Sequence, residues 1–340
     1  MSNPLRPLVL LLVAVLSLVA CSTPTSPTSQ QTTTESSFQP VTISHVHGET
    51  EITQRPTRVV TIGWYSQDVV AALGIVPVGV EDFTWGSVEK YLPWFKDRVA
   101  ELGGELPELL RLNDKWEHDY EQILALEPDV ILALHSGIDE TAYQRLSEIA
   151  PTVAYSGVAW TSERERLTLD IGRVLGMEQE AQRLLDEADA AIAEAAGRHP
   201  EFKGVVFTYG SNLAEGETQF AFYVRADPRV RLLEELGFVT SPDIVKASEG
   251  ASEFVTYVSL EELSQVESQF HVGWGDVAAD VTRTLEHPLV ARWAPVAAGH
   301  THFFVEDHTL AWASTAPSVL SIPATVGAMA DDLAKGLPQQ

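Results

Sequence analysis

RVVTIGWYSQDVVAALGIVPVGV, Arg58 to Val80, reads as one strand–turn–helix–strand unit. Val59, Val60, Thr61 and Ile62 form an apolar, β-branched run of the kind that suits a strand buried on both faces. Gly63 breaks the run and leaves Trp64 and Tyr65 in the turn at the strand's carboxyl end. Ser66 is placed to cap a helix, and Asp68 falls in its first turn, where the helix dipole favours an anion. Val69, Val70 and Leu73 supply the inner face, Gly74 ends the helix, and Ile75 to Val80 returns as a second strand. Ligands of open α/β sheets bind outside the carboxyl ends of the strands. Trp64 and Tyr65 therefore stand where a ligand would be met, or else pack as ordinary aromatics under a loop.

The same rhythm continues on either side. Before this unit, Val41–Ile43 and Glu49–Ile52 read as short strands around a His-Gly turn. His45 and His47 would share a face there, as polar strand residues sooner than as a metal site. After it, Glu81 to His118 is long and irregular and holds Trp85, Tyr91, Trp94, Phe95 and Trp116. Then come a helix from Tyr120, a strand over Val130–Leu134 ending at His135, a helix over Glu140–Ile149 and a strand over Thr152–Tyr155. Strands alternating with helices call for a mostly parallel sheet covered on both faces. Ser162 to Gly176 and the stripe Ala181, Leu184, Leu185, Ala188, Ile192, Ala195 are helical with no strand between them, which marks a hinge. Beyond Pro200 the pattern restarts. Strands are expected at Val205–Tyr209, Phe220–Val224, Phe270–Trp274 and His302–Val305. Helices are expected from Asp227-Pro228 and over Ser318–Leu333.

At 340 residues the chain has room for two ordinary domains, and 45% hydrophobic with 21% charged residues is a globular composition. The net charge of −26 argues against nucleic acid and against an anionic membrane surface. Leu8 to Ala20 is an apolar stretch of secretory-signal length, too short for a comfortable span. It ends Leu18-Val19-Ala20-Cys21, and Cys21 is the chain's only cysteine. Ser22 to Ser37 is nearly all Ser, Thr, Pro and Gln and reads as a mobile tether. Removing the leader removes Arg6, the only charge ahead of Cys21, and leaves the mature chain one unit more negative.

Six stretches together carry a family resemblance: the opening one, YEQILALEPDVILA, LSEIAPTVA, DPRVRLLEELGF, VSLEEL and LSIPATVGAMADDL. In this order, behind a lipobox-like Cys21, they resemble the substrate-binding lipoproteins of bacterial iron–siderophore ABC importers, the actinobacterial branch above all. The resemblance implies an α/β protein of two Rossmann-like lobes joined by a single long helix, the helical-backbone class. The ligand would lie between the lobes, and closure would be limited. The expected divisions are a signal peptide over 1–20, a lipidated tether over 21–40, an N-terminal lobe over 41–160, a connecting helix over 161–177 and a C-terminal lobe over 178–335. The expected state is a monomer, lipid-anchored at the outer face of the cell membrane through Cys21. Its partners would be a ferric siderophore and the permease subunits of an ABC importer, with no nucleic acid.

Permease docking is expected at Asp68 and Glu234, with Glu235 a neighbouring candidate. A bulky, partly apolar ferric complex wants aromatic walls and a few donors. These are expected from Trp64, Tyr65, Trp85 and His135 on the first lobe and from Tyr209, Tyr223, Arg225, Trp274 and Trp312 on the second. Arg225 is the chosen cation because a guanidinium is a fixed fork of donors. The siderophore itself holds the iron, so no cofactor and no protein-held metal are expected. The absence of an arginine cluster favours a neutral or cationic hydroxamate complex over a catecholate or citrate. An enzyme is disfavoured, since G-x-S-x-G, H-E-x-x-H, Walker A and G-x-G-x-x-G are all missing. Haem, cobalamin or a free metal ion remains the alternative cargo, with Tyr209 or Tyr223 as axial ligands or His135, Asp307 and His308 as metal ligands.

Overall fold

The computed structural model describes residues 38–83, 90–275, 277–305 and 308–337. Cys21, Trp85 and Asp307 lie outside them. Val41–His45 (β1) and Gly48–Ile52 (β2) form an antiparallel hairpin. His45 and His47 are both engaged: His45 Nε2 bonds Thr50 Oγ1 within the hairpin at 2.9 Å, and His47 Nε2 bonds the Ile138 carbonyl outside it at 3.0 Å. Both are structural residues of the hairpin, as the sequence favours.

The opening stretch gives Val59–Gly63 (β3), buried throughout, then Ser66–Ala72 (α1) and Gly79–Glu81 (β4). Ser66 starts α1 but does not cap it; Tyr65 holds that position and makes no side-chain cap. The segment that reads as irregular contains Pro93–Glu101 (α2) and Glu108–Leu110 (β5). Tyr120–Ala125 (α3) and Glu140–Ser147 (α4) are each capped by a preceding aspartate, Asp119 and Asp139. Val130–His135 (β6) and Thr152–Ala154 (β7) complete a parallel sheet in the order β5-β4-β3-β6-β7. The order reverses between β3 and β6, so a topological switch point lies beside Trp64 and His135.

Arg164–Leu175 (α5) and Glu178–Arg198 (α6) carry the chain onward. Gly176, at φ +64°, stops α5, so the long helix starts after the interval 161–177 in which the connection is expected. At 21 residues α6 runs about 32 Å. It packs on α5 on one side and, on the other, on the closing helix Ser321–Leu333 described below.

The second lobe is built from Val206–Ser211 (β8), Gln219–Tyr223 (β9), Pro228–Glu235 (α7), Val239–Thr240 (β10), Pro242–Ala247 (α8), Val255–Ser259 (β11), Phe270–Trp274 (β12), Ala278–Glu286 (α9), Ala294–Ala297 (α10) and Thr301–Phe304 (β13). His308–Thr315 (α11) and Ser321–Leu333 (α12) end it. The sheet order is β11-β9-β8-β12-β13, with β10 beside β8. β9 runs antiparallel to both β8 and β11, a departure from the parallel pattern. Pro228 at the first helical position and Asp227 as cap open α7 as read.

Each sheet buries one face in a local core. For the first lobe this is Val60, Ile62, Ile131 and Leu146; for the second, Phe220, Phe222, Leu263 and Trp293. The other faces share one continuous apolar cluster with α1, α5, α6, α7, α11 and α12. Among the described residues, no helix is long and apolar enough to cross a membrane.

Candidate ligand-binding site

Gly63 sets the first wall. Its φ is +88°, and a Cβ there would sit 1.9 Å from the His135 carbonyl oxygen. Only glycine lets β3 approach β6 this closely. The Trp64 amide donates to that carbonyl at 3.3 Å, and the indole leaves the strand end toward other aromatics. Its ring centroid lies 4.4 Å from Trp160 and 5.7 Å, edge-on, from Trp312, which meets Phe83 at 5.2 Å. Trp160 is absent from the residues expected from sequence. It follows β7, its backbone adopts φ +63°, and Gly137 makes room for it, since a Cβ there would lie 2.6 Å from the indole nitrogen. A bulky residue held in the left-handed region is uncommon and tends to mark a function.

His135 ends β6 behind these rings, 5.2 Å from Tyr65 and 5.6 Å from Trp160. Burial, and then the Arg229 guanidinium, hold its imidazole down to about 3, so it stays neutral. Its Nδ1 is buried without a hydrogen-bond partner.

The second lobe answers with Tyr209, Tyr223 and Arg229. The Tyr209 hydroxyl shares a hydrogen bond with Ser314 Oγ at 2.7 Å, and its ring meets Tyr223 edge-on at 5.4 Å. The Arg229 guanidinium lies 4.1 Å over the Tyr223 ring, and its Nη1 donates to Asp227 Oδ2 at 2.6 Å. Burial pushes the Asp227 carboxyl up to about 6, with Arg229 opposing. Arg229 Nε, like His135 Nδ1, is buried without a partner. An unmet buried donor is costly and asks for an explanation; a ligand oxygen would supply one.

Several expected residues sit differently. Arg225 is not at this wall. Its side chain is 59% exposed, and its Nε donates to Glu234 Oε1 at 2.9 Å. With Arg231 and Glu234, and with Val158 and Thr161 from the other side, it lines a cavity of about 420 Å³. Arg225 precedes α7 in the exposed turn, whereas Arg229 lies in the helix's first turn and points back to the strand ends. Tyr65 and Trp312 are fully buried; the Tyr65 hydroxyl donates to the Pro317 carbonyl, so it braces the C-terminal segment. Trp274 is half-buried at the end of β12, packed against the shared core.

Asp68 is not a surface acid. It is fully buried and accepts from Trp94 Nε1 at 2.7 Å and from Ser318 Oγ at 2.6 Å. The whole of α1 is buried, and its first turn faces α2 and the C-terminal segment, so Asp68 presents no surface carboxylate. Glu234 is partly exposed but engaged by Arg225 and by Thr240 Oγ1, the latter at 2.7 Å. Glu235 is held by Arg164 in a two-pronged pair at 3.0 and 3.2 Å.

Two lobes, a connecting helix and a seam lined with aromatics and short of hydrogen-bond partners define a solute-binding protein. Residues 59–248 match the family described as periplasmic binding protein, and the chain belongs to that family. Its members named here are substrate-binding proteins, and this chain is one of them and not an enzyme. It is 25% identical over 256 residues to the Fe(3+) dicitrate-binding periplasmic protein FecB of Escherichia coli, covering 74% of this chain and 75% of that one. It is also 25% identical over 312 residues to the ferric-anguibactin-binding protein FatB of Vibrio anguillarum, covering 87% of each. The crystal structure of Streptococcus pneumoniae PiaA in complex with ferrichrome superposes with a TM-score of 0.79 at 29% identity, covering 87% of this chain and 98% of that one. A periplasmic solute binding protein from Mycobacterium smegmatis gives 0.71 at 27%, covering 88% and 99%.

Proposed function

We propose that this protein captures a ferric siderophore outside the cytoplasm and delivers it to the permease of an ABC importer, tethered by a lipid at Cys21. The observation that carries the reading is the presence of both His135 and Arg229 at the seam. They come from different lobes, behind walls of indole and phenol, and each keeps a buried nitrogen without a partner. The oxygens around a chelated ferric ion are suited to meet such donors, and the rings suit the organic shell. The names of FecB, FatB and the PiaA complex support a ferric cargo. A hydroxamate complex is favoured over an anionic one because each arginine near the seam already has an acid. Arg225 faces Glu234, Arg229 faces Asp227 and Arg231 faces Glu163.

Tryptophan quenching of the purified mature protein tests this. Saturable quenching by a ferric trihydroxamate, tighter than by ferric citrate or a ferric catecholate, is the expected result. Tighter catecholate binding reverses the choice of siderophore. A Soret band on adding haemin, with no response to any ferric chelate, replaces the reading by haem binding.

A further inference from the structure

A second cavity, of about 470 Å³, lies over the carboxyl ends of β3, β4 and β6. It shares Trp64 and Trp160 with the aromatic wall, and its remaining lining comes from the first lobe alone. Tyr120, Leu112, Ile62 and Ile138 give it further apolar surface. Deep in its lining, His118 Nε2 meets Glu81 Oε1 at 3.1 Å, with only 9% and 7% of the two side chains exposed.

Lys115, Glu117, Asp139 and Arg145 add a polar rim, and its outer wall includes Trp116, which is 63% exposed. Leu112 and His118 bridge as an antiparallel pair, and Asn113 ties the loop between them. Asn113 Oδ1 accepts from the amides of Lys115 at 2.8 Å and Glu117 at 3.0 Å, and its Nδ2 donates to Glu117 Oε2 at 2.8 Å. The Trp116 amide donates to the Asn113 carbonyl at 2.9 Å, and its φ is +62°. A large, exposed indole in the left-handed region runs against both burial and backbone preference. The loop's hydrogen bonds fix it there, beside a cavity sized for a small organic group.

We infer that this cavity is a specificity subsite that takes a planar aryl group bearing a hydrogen-bond donor, carried by the siderophore outside its iron-chelating core. The inference rests on the ferric-siderophore reading. Trp116, Tyr120 and the Trp64–Trp160 pair supply faces and edges for the ring. The buried Glu81 carboxylate accepts from its hydroxyl, and His118 fixes that carboxylate. The iron cage stays at the lobe seam, next to the same two tryptophans.

The test uses two ferric trihydroxamates with the same iron cage, one plain and one bearing a pendant 4-hydroxyphenyl group, titrated calorimetrically. Wild type binds the aryl-bearing complex roughly tenfold more tightly, the scale of one well-packed aromatic contact. Trp116→Ala abolishes that gain and leaves the affinity for the plain complex unchanged. Glu81→Gln weakens the gain for a hydroxyphenyl pendant but not for a phenyl one. Equal affinities in wild type, or a gain that survives Trp116→Ala, overturn the subsite and leave the seam reading standing. Binding of neither complex overturns both.

Discussion

Asp68→Asn isolates one buried carboxyl. In the folded protein burial is the dominant influence on Asp68, and it pushes the group from an ordinary 3.8 up to about 7, against the hydrogen bonds from Ser318, Trp94 and Gln67. The folded state thus holds a proton that the unfolded chain releases. Its stabilising contribution is complete below pH 3.8 and is lost as pH rises through about 7. Linkage makes the loss about 2.5 kcal/mol between pH 5 and 8, and about 4 kcal/mol in full. Asparagine matches the protonated form: its carbonyl can accept from both Trp94 and Ser318, and it does not titrate. His135, His271 and Asp227 titrate in both proteins and cancel in the difference. Urea unfolding of wild type and Asp68→Asn across pH 5 to 8 therefore gives a stability difference that moves in the variant's favour by about 2.5 kcal/mol. Parallel pH profiles would show that Asp68 is ionised in the fold, and the buried-acid argument would fail.

Arg229→Met should cost the ferric complex on the order of a hundredfold in affinity, while Arg225→Met changes it little, since truncating a buried charged partner is expensive and an exposed one is not; calorimetry on both variants separates them. Gly63→Ala drives a methyl into the His135 carbonyl, so a loss of about 3 kcal/mol or more is expected in denaturant melts. Arg164 reaches Glu235 and Asp189, and Arg231 reaches Glu163 at 3.0 Å, so α5 and α7 are cross-linked by ion pairs. Reversing Arg164 or Glu235 alone should destabilise, and the Arg164→Glu, Glu235→Arg swap should recover about 1 kcal/mol of coupling at low salt that vanishes in high salt.

Periodicity carried most of the fold because strands and helices here follow their rules. β12 occupies Phe270–Trp274 as read, and Asp227-Pro228 opens α7 at the expected residue. Short elements escaped. α2 begins at Pro93 inside an aromatic-rich stretch that looks like loop, and β5 and β10 have only three and two residues. The antiparallel β9 escaped because strand direction leaves no mark on local composition. The placement of Trp64, His135, Tyr209 and Tyr223 at strand ends was legible from the apolar runs that precede them. Trp160 was not, since its position depends on the space left by Gly137, far away in sequence. Asp68 misled because an acid in a helix's first turn reads as solvated; only tertiary packing by Trp94 and Ser318 buries it.

Several buried polar groups share one location, and that location is informative. Asp68 with Ser318, Tyr65 with Pro317, His135 near Arg229 and Arg164 with Glu235 all sit where the first lobe meets the second lobe or the C-terminal segment. A purely apolar seam would be indifferent to small sliding of the lobes, because hydrophobic burial has no direction. Hydrogen bonds and ion pairs do have direction, and each is lost over an ångström or so of displacement. The seam is thus keyed to one arrangement of the lobes. Within it, some polar atoms are served and others are not. Asp68 Oδ2 has two donors and the Tyr65 hydroxyl has its carbonyl, so these act as fasteners. Asp68 Oδ1, Arg164 Nε, His135 Nδ1 and Arg229 Nε are buried without a partner. A ligand oxygen reaching His135 Nδ1 or Arg229 Nε would remove the cost of leaving them so, which is why the proposed site is placed there.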